Sequence, residues 1–202
     1  MLVNLSTIKA TAPKPIPGKK RHKNIKLAPA AIPDDENLSS TFVSDRDIQL
    51  TKAIGNIEMG KNVHYYSFGN FNLVRLIVYL LKQLGPSHVF MSSYSFSTKS
   101  INQLHNLIEK NQILSFRVLL DNRVRSISPK PFQMISTMFN YRCTSIHAKT
   151  AIIYNDKWQI SIVTSQNATD NPKMERGIIF TDPSVFQFDL KNLTDAFQRG
   201  TT

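Results

Sequence analysis

Residues 146–153 read Ile146-His147-Ala148-Lys149-Thr150-Ala151-Ile152-Ile153, and this apolar segment predicts a β-strand that carries two basic side chains. Side chains alternate between the two faces of a strand, so we expect His147 and Lys149 to point to the same face. Lysine is depleted in strands and is almost never fully buried without a partner. An imidazole and an ammonium group on one face therefore indicate an anion site, and phosphate is the anion that suits this pair.

Further polar groups follow at the ends of the next two predicted strands. Ser165 and Asn167 come directly after one strand, and Glu175 begins the other. Ligands of α/β sheets bind at the ends of strands. We therefore expect His147, Ser165 and Glu175 to converge in space although they are far apart in the sequence.

The hydrophobic pattern from residue 46 onward alternates between strand and helix periods. This alternation predicts an α/β/α sandwich with a mixed sheet, and the turn signal Asn155-Asp156-Lys157 predicts a hairpin within it. The predicted strands are 65–68, 88–94, 114–120, 146–154, 158–164 and 175–181, and the predicted helices are 45–57, 70–84, 98–110, 132–139 and 183–197.

The first part of the chain has a different composition. Residues 1–45 are rich in proline, and residues 1–33 carry seven Lys and Arg side chains and no acid, so they supply most of the net charge of +11. Such a segment cannot bury enough apolar surface to offset the entropy of ordering it. We expect a basic, flexible tail over 1–45 and one domain over 46–202. The tail is either a solvated leader or an arm that binds nucleic acid phosphates.

Composition also excludes several classes of protein. Cys143 is the only cysteine, so neither an intramolecular disulfide framework nor a cysteine-based zinc site is possible. No apolar run approaches the 18 residues of a membrane span, and the N-terminus lacks a secretory signal. We expect a cytoplasmic protein.

The last third of the chain resembles the phospholipase D superfamily. That family is marked by an H-x-K-x4-D motif, then a G-S-x-N element and a downstream Glu. This chain has His147-Ala148-Lys149, then Thr164-Ser165-Gln166-Asn167, and then Glu175. The resemblance implies one half-size unit of that fold, and the short, single-motif nucleases of the family have the most similar layout.

The resemblance also implies a mechanism and a role for each site residue. His147 would attack phosphorus and form a phosphohistidine, without a metal or other cofactor. Lys149, Ser165 and Asn167 would bind the phosphate, and Glu175 would orient His147. Because the chain has one copy of the motif, it implies a homodimer that brings two His147 residues together. The implied activity is that of a phosphodiesterase, an endonuclease-type hydrolase.

Two positions depart from the family pattern. Tyr154 stands where the motif has Asp, with Asp156 two residues further on, and Thr164 stands where the second element has Gly. An alternative to the nuclease is therefore a module of the same fold that binds nucleic acid phosphates without cleaving them.

The substrate class rests on charge. The basic tail favours DNA or RNA over lipid, and the chain has no segment typical of an interfacial amphipathic helix. A phospholipid-type phosphodiesterase is the remaining alternative. Arg123 and Arg125 lie in a predicted basic loop, 122–131, and belong either to a solvated loop or to the substrate groove.

Overall fold

The computed structural model describes residues 39–44 and 50–202, which form an eight-stranded mixed sheet with helices on both faces. The order of strands across the sheet is β1-β2-β8-β7-β6-β3-β4-β5. The pairs β1–β2, β3–β4 and β4–β5 are parallel, and the other pairs are antiparallel. The elements in chain order are β1 (Ser39–Ser44), α1 (Leu50–Ile54), β2 (Lys61–Ser67), α2 (Leu73–Leu84), β3 (Ser87–Ser93), α3 (Thr98–Glu109), β4 (Ile113–Asp121), α4 (Val124–Ile127), α5 (Pro129–Met138), β5 (Asn140–Thr144), β6 (Lys149–Tyr154), β7 (Gln159–Thr164), β8 (Glu175–Phe180) and α6 (Pro183–Arg199).

The first face of the sheet carries the larger core, to which α2 and α3 contribute their apolar stripes. Both helices begin where a polar side chain can satisfy a free backbone N–H. The Asn72 side chain accepts from the Arg75 N–H, and Ser97 accepts from the Ser100 N–H. Helix α2 ends at Gly85, whose φ of 79° suits glycine. The predicted apolar stripes, the Ser97 cap and the stop at Gly85 are confirmed.

The second face is covered by α6, which lies over β3, β4, β5, β6 and β7. Asp182 caps this helix by accepting from the Ser184 N–H. The helix packs on a smaller apolar cluster than the one on the first face. Its buried members are Phe90, Leu119, Ile152, Phe186 and Leu193.

The same face continues beyond α6 onto β7, β8, β2 and β1. Ser161 donates a hydrogen bond to Asp189 of α6, so Ser161 and, two residues further on, Val163 point to the α6 side. Cross-strand neighbours share a face, and the register runs from Val163 to Ile178, His64 and Phe42. We call Phe42, His64, Val163 and Ile178 the open face. Phe42 is 48% exposed and Val163 is 42% exposed.

The structure corrects four sequence predictions. Ser39–Ser44 forms β1, so the sheet begins inside the segment predicted as a tail. Asn140–Thr144 forms β5, an edge strand that was not predicted because its polar sequence lacks a strand-like pattern. The predicted basic loop contains α4 and the start of α5. Strand β6 begins at Lys149, so His147 precedes the strand and is not part of it.

Parts of two predictions lie outside the described residues. They are the remainder of the predicted tail, 1–38, and the first residues of the predicted first helix, 45–49. The helix that the structure describes there is α1, Leu50–Ile54. Among the described residues, none of the helices combines the length and apolar character needed to cross a membrane.

Asp189 provides a test of how α6 is held to the sheet. Burial raises the pKa of Asp189, and the hydrogen bond from Ser161 opposes this only in part. An acid whose pKa is raised on folding binds its proton more tightly in the folded state, so stability falls as pH rises through that pKa. We expect Asp189→Asn, which keeps an acceptor for Ser161, to raise the free energy of unfolding at pH 7.

The gain should shrink as pH falls and vanish below the pKa of the unfolded chain, about 3.9. Urea unfolding at a series of pH values measures it. Asp195→Asn is the matched control, because Asp195 is a half-exposed acid of the same helix, paired with Lys191 at 3.2 Å. An equal response of both variants to pH would contradict the assignment to Asp189.

Candidate active site

The sheet topology brings the polar strand ends to one edge. Strand β6 runs antiparallel to both β3 and β7, so its first residue lies beside the last residues of its neighbours. Lys149 pairs with Thr164, and Thr164 pairs with Gly177 of β8. As a result Lys149, Ser165 and Glu175 lie at the same edge of the sheet.

His147 lies in the segment between β5 and β6 and is exposed. Its ring packs edge-on against the ring of Tyr94, with 5.5 Å between centroids. Neither ring nitrogen of His147 has a hydrogen-bond partner among the described residues, so both are available to a ligand. The imidazole borders a recess of about 390 Å³. This recess is lined by His147, Ala148, Lys149, Thr150, Val163, Thr164 and Ser165.

Lys149 is almost fully buried, with 9% of its surface exposed. Its Nζ donates a hydrogen bond of 2.8 Å to the backbone carbonyl of His147. Burial lowers the pKa of Lys149, and the nearby charge of Glu175 acts in the opposite direction. A buried ammonium group costs free energy unless it is paired, so this lysine is poised to gain from a bound anion.

Glu175 is held by two side chains of the loop between β7 and β8. Ser165 Oγ donates to one carboxylate oxygen, and Asn171 Nδ2 donates to the other at 2.6 Å. The sequence-based role for Glu175 was direct orientation of His147. The structure places these two partners on Glu175 instead, and its link to the rest of the site is the electrostatic interaction with Lys149.

Asn167 ties the β7–β8 loop to the end of β3. Its Oδ1 accepts from the backbone N–H of Tyr94 at 3.2 Å and from Ser93 Oγ at 3.4 Å. Its backbone carbonyl accepts from the N–H of Leu73 at the start of α2, at 3.3 Å. The Oδ1 atom of Asn167 thus accepts hydrogen bonds within the fold, and its Nδ2 group is the donor that would bind a phosphate.

The two arginines of the predicted groove differ in their surroundings. Arg123 lies with its guanidinium 4.9 Å from the centroid of the Tyr94 ring, which in turn contacts His147. Arg125 lies over the ring of Phe132 at 5.4 Å. The structure therefore connects Arg123 to the site and gives Arg125 a contact with α5.

Sequence reasoning missed Tyr94, whose ring contacts His147, and Asp121, which binds the backbone before His147. Tyr94 follows β3 and Asp121 ends β4, two parallel strands whose carboxyl ends meet at this edge. The signal that could have found them is their position, since residues at carboxyl ends of neighbouring parallel strands converge.

Comparison with known proteins gives a match in structure alone. No family model matches the sequence, and no curated protein matches it. Nuc from Salmonella typhimurium, a phospholipase D family member, superposes with a TM-score of 0.52 at 16% identity, over 69% of this chain and 96% of that chain. NucT from Helicobacter pylori superposes with a TM-score of 0.52 at 13% identity, over 69% of this chain and 98% of that chain.

In fold, the chain resembles the phospholipase D superfamily. A polyphosphate kinase from Porphyromonas gingivalis also superposes, with a TM-score of 0.52 at 14% identity, over 68% of this chain and 26% of that chain. The mixed sheet with helices on both faces corresponds to a phospholipase D half-unit, so the predicted fold class is confirmed.

Tyr154, at the position of the phospholipase D motif Asp, lies at the far end of β6. It stacks on His88 with 4.9 Å between ring centroids and packs against Phe186 at 5.5 Å. Tyr154 is five steps along the strand from Lys149, at about 3.3 Å per step, or about 17 Å. Asp156 lies beyond it, in the β6–β7 turn. The substitution therefore changes packing at the opposite edge of the sheet, away from His147.

No cluster of three or more His, Cys, Asp or Glu side chains that could hold a metal ion occurs within residues 39–44 and 50–202.

The Lys149–Glu175 interaction can be tested without an activity assay. Because burial lowers the pKa of Lys149 and Glu175 raises it, we expect Glu175→Gln to lower this pKa further. NMR titration of the lysine side-chain signals measures the shift. Asp156→Asn, at the opposite edge, is the control. A Lys149 signal that titrates identically in Glu175→Gln and wild type would contradict the electrostatic link.

Proposed function

We propose that this protein is a metal-independent phosphodiesterase that hydrolyses nucleic acid through a phosphohistidine at His147, as a homodimer. The observation that carries the proposal is the pairing of an exposed imidazole that has free ring nitrogens with a buried ammonium group, around one recess. The fold resemblance to the phospholipase D superfamily supports the same chemistry.

The reaction needs a nucleophile, a proton donor and groups that stabilise the charged phosphoryl oxygens. A ring nitrogen of His147 attacks phosphorus, the N–P bond forms and the bond to the leaving alkoxide breaks. The alkoxide takes a proton from His147 of the partner subunit. Water then attacks phosphorus, gives its proton back to that second imidazole, and the N–P bond breaks.

Lys149 acts in two ways in this proposal. Its ammonium group compensates the negative charge on a non-bridging phosphoryl oxygen. Its hydrogen bond to the His147 carbonyl holds the backbone segment that carries the nucleophile. Desolvation makes each such interaction stronger than it would be in water. A lysine that is exposed and screened by water could not contribute as much.

Ser165 has a different constraint. Its single hydroxyl hydrogen is directed at Glu175, while its oxygen accepts from the Arg176 N–H at 3.0 Å. To donate to a phosphate, Ser165 must rotate this hydrogen away from Glu175. We propose that this exchange accompanies substrate binding, with Asn167 Nδ2 as a second donor.

Nucleic acid is the proposed substrate because of charge. The chain has a net charge of +11, and Arg123, with 61% of its side chain exposed, lies over the Tyr94 ring that contacts His147. A polyanion whose phosphates are neutralised by several basic side chains gains from release of its counterions, whereas a lipid headgroup presents one phosphate. Faster cleavage of vesicle lipids than of oligonucleotides would indicate a phospholipid substrate instead.

The open face is the proposed contact between the two copies. Val163 lines both this face and the recess that holds His147, so the apolar surface is continuous with the candidate site. Exposed apolar patches of this kind mark interaction sites. A two-fold contact uses the same patch on both subunits, which would bring the two recesses together. Two imidazoles are what the acid and nucleophile roles require.

A binding module without catalysis is the second candidate, and it rested on Tyr154. Since Tyr154 lies about 17 Å from Lys149 along β6, its presence removes no group from the site. This position favours the enzyme.

The cytoplasm remains our prediction for the compartment, because the one cysteine of the sequence, Cys143, is unpaired.

His147→Ala is the direct test of catalysis. We expect wild-type protein to cleave single-stranded or duplex oligonucleotides in the presence of EDTA, and the variant to lose at least about 1,000-fold in kcat, because the nucleophile is removed. Oligonucleotide affinity should be retained. His88→Ala, at the opposite edge of the sheet, is the control. Cleavage that survives in His147→Ala, or that stops with EDTA, would contradict the mechanism; binding without cleavage by wild type would favour the second candidate.

Val163→Arg tests the dimer contact. We expect a charged side chain on the open face to convert the protein to a monomer in light scattering and to abolish cleavage together with dimerisation. Leu114→Arg is the matched control for Val163→Arg. Leu114 is also an exposed apolar residue, at 53%, and it lies near the start of β4, at the edge away from the site. A monomeric Val163→Arg variant with full activity would contradict the need for two copies.

A further inference from the structure

Asp121 is the most buried carboxylate near the candidate site. It ends β4, is 4% exposed, and makes contacts on both sides of its carboxylate. One oxygen accepts from the backbone N–H of Arg123 at 3.0 Å and from Arg123 Nε at 2.7 Å. The other accepts from the backbone N–H of Ile146 at 3.3 Å. Burial of a carboxylate costs free energy unless its oxygens accept hydrogen bonds. The Asp121 carboxylate therefore holds Arg123 and the Ile146 backbone in place.

The two sides of this carboxylate reach His147 by separate routes. On one side, Ile146 is the residue directly before His147, so its bond to Asp121 fixes the backbone that carries the imidazole. On the other side, Arg123 lies over the Tyr94 ring at 4.9 Å, and that ring contacts the His147 ring at 5.5 Å. One side chain therefore restrains both the backbone and the ring of the candidate nucleophile.

The electrostatics agree with this geometry. The hydrogen bond and charge of Arg123 lower the pKa of Asp121 against the opposing effect of burial, and Asp121 in turn raises the pKa of Arg123. The carboxylate thus stays ionised at neutral pH. An ionised acceptor holds the Ile146 N–H and the guanidinium more strongly than a neutral one would.

We propose that Asp121 is a positioning residue for His147, which it holds through the Ile146 backbone and through the Arg123–Tyr94 stack. Asp121 does not line the recess, so it acts on the reaction only through these neighbours. The proposal goes beyond the proposed function, because positioning of His147 holds whether the site cleaves a phosphodiester or only binds one. No feature of the H-x-K motif indicates this residue.

Asp121→Asn is the test, since the amide keeps the size of the side chain and removes its charge. The ring signals of His147 in a ¹H–¹³C spectrum, assigned with His147→Gln, report its position directly. We expect these signals to shift and broaden in Asp121→Asn and to stay unchanged in the control Asp156→Asn. In the cleavage assay we expect kcat to fall roughly 10- to 100-fold, because small misplacement of a reacting group has effects of that size. The KM should change by less than about threefold, in line with a residue that does not touch the substrate.

Arg123→Met provides a second variant if Asp121→Asn does not fold. It removes the guanidinium but leaves the bond between Asp121 and Ile146, so we expect a smaller shift of the His147 signals together with a higher KM, since Arg123 is a proposed groove residue. Unchanged His147 signals in Asp121→Asn, or in Arg123→Met when only that variant folds, would overturn the proposal. If the signals shift but His147→Ala retains activity, the proposed function fails and the positioning role stands.

Discussion

The antiparallel insertion of β6 between β3 and β7 is the constraint on which the site depends. It places Lys149, the first residue of β6, beside the carboxyl ends of β3 and β7. Strand β7 follows β6 directly in the chain, whereas β3 lies more than 50 residues before it. A shift of the register by one residue would turn Lys149 and the residues after it to the other face. The pairing is fixed by buried residues of β6 such as Ala151 and Ile153, which point to the larger core. The hydrophobic effect thus sets the geometry of the polar groups.

The polar groups at this edge form a network in which few members are free. Asn167 binds the end of β3, Ser165 and Asn171 bind Glu175, and Asp121 binds Arg123 and the backbone before His147. By contrast, the two ring nitrogens of His147 remain without partners among the described residues. This contrast is the arrangement expected of a preorganised site, where supporting groups are satisfied by one another and the reactive group is presented to the ligand.

The two edges of the sheet have different roles in this fold. The edge with His147 collects charged and amide side chains, whereas the opposite end of β6 is closed by the stack of Tyr154 on His88 and Phe186. Tyr154 therefore lies away from the candidate site around His147. The aromatic side chain at this position changes the packing of β6 against α6, and so affects the stability of the fold.

The sequence by itself determined the α/β class and most of the helices and strands, and it singled out His147, Lys149 and Ser165, which line the recess. Periodic apolar stripes, the Ser97 cap and the stop at Gly85 are local signals, and a local signal is readable without the partner element. The sequence did not reveal β5 or β1, because the strands at the edges of the sheet take their structure from a neighbour more than from their own pattern.

Only the tertiary structure decided which polar groups touch. Glu175 was expected against His147 and is bonded to Ser165 and Asn171, while Tyr94 and Asp121, from two other strands, support the imidazole segment. These contacts join residues up to 53 positions apart, from Tyr94 to His147. Spacing along the chain carries no information about such pairs. The physical reason is that they are set by strand order and register, which depend on burial across the whole sheet.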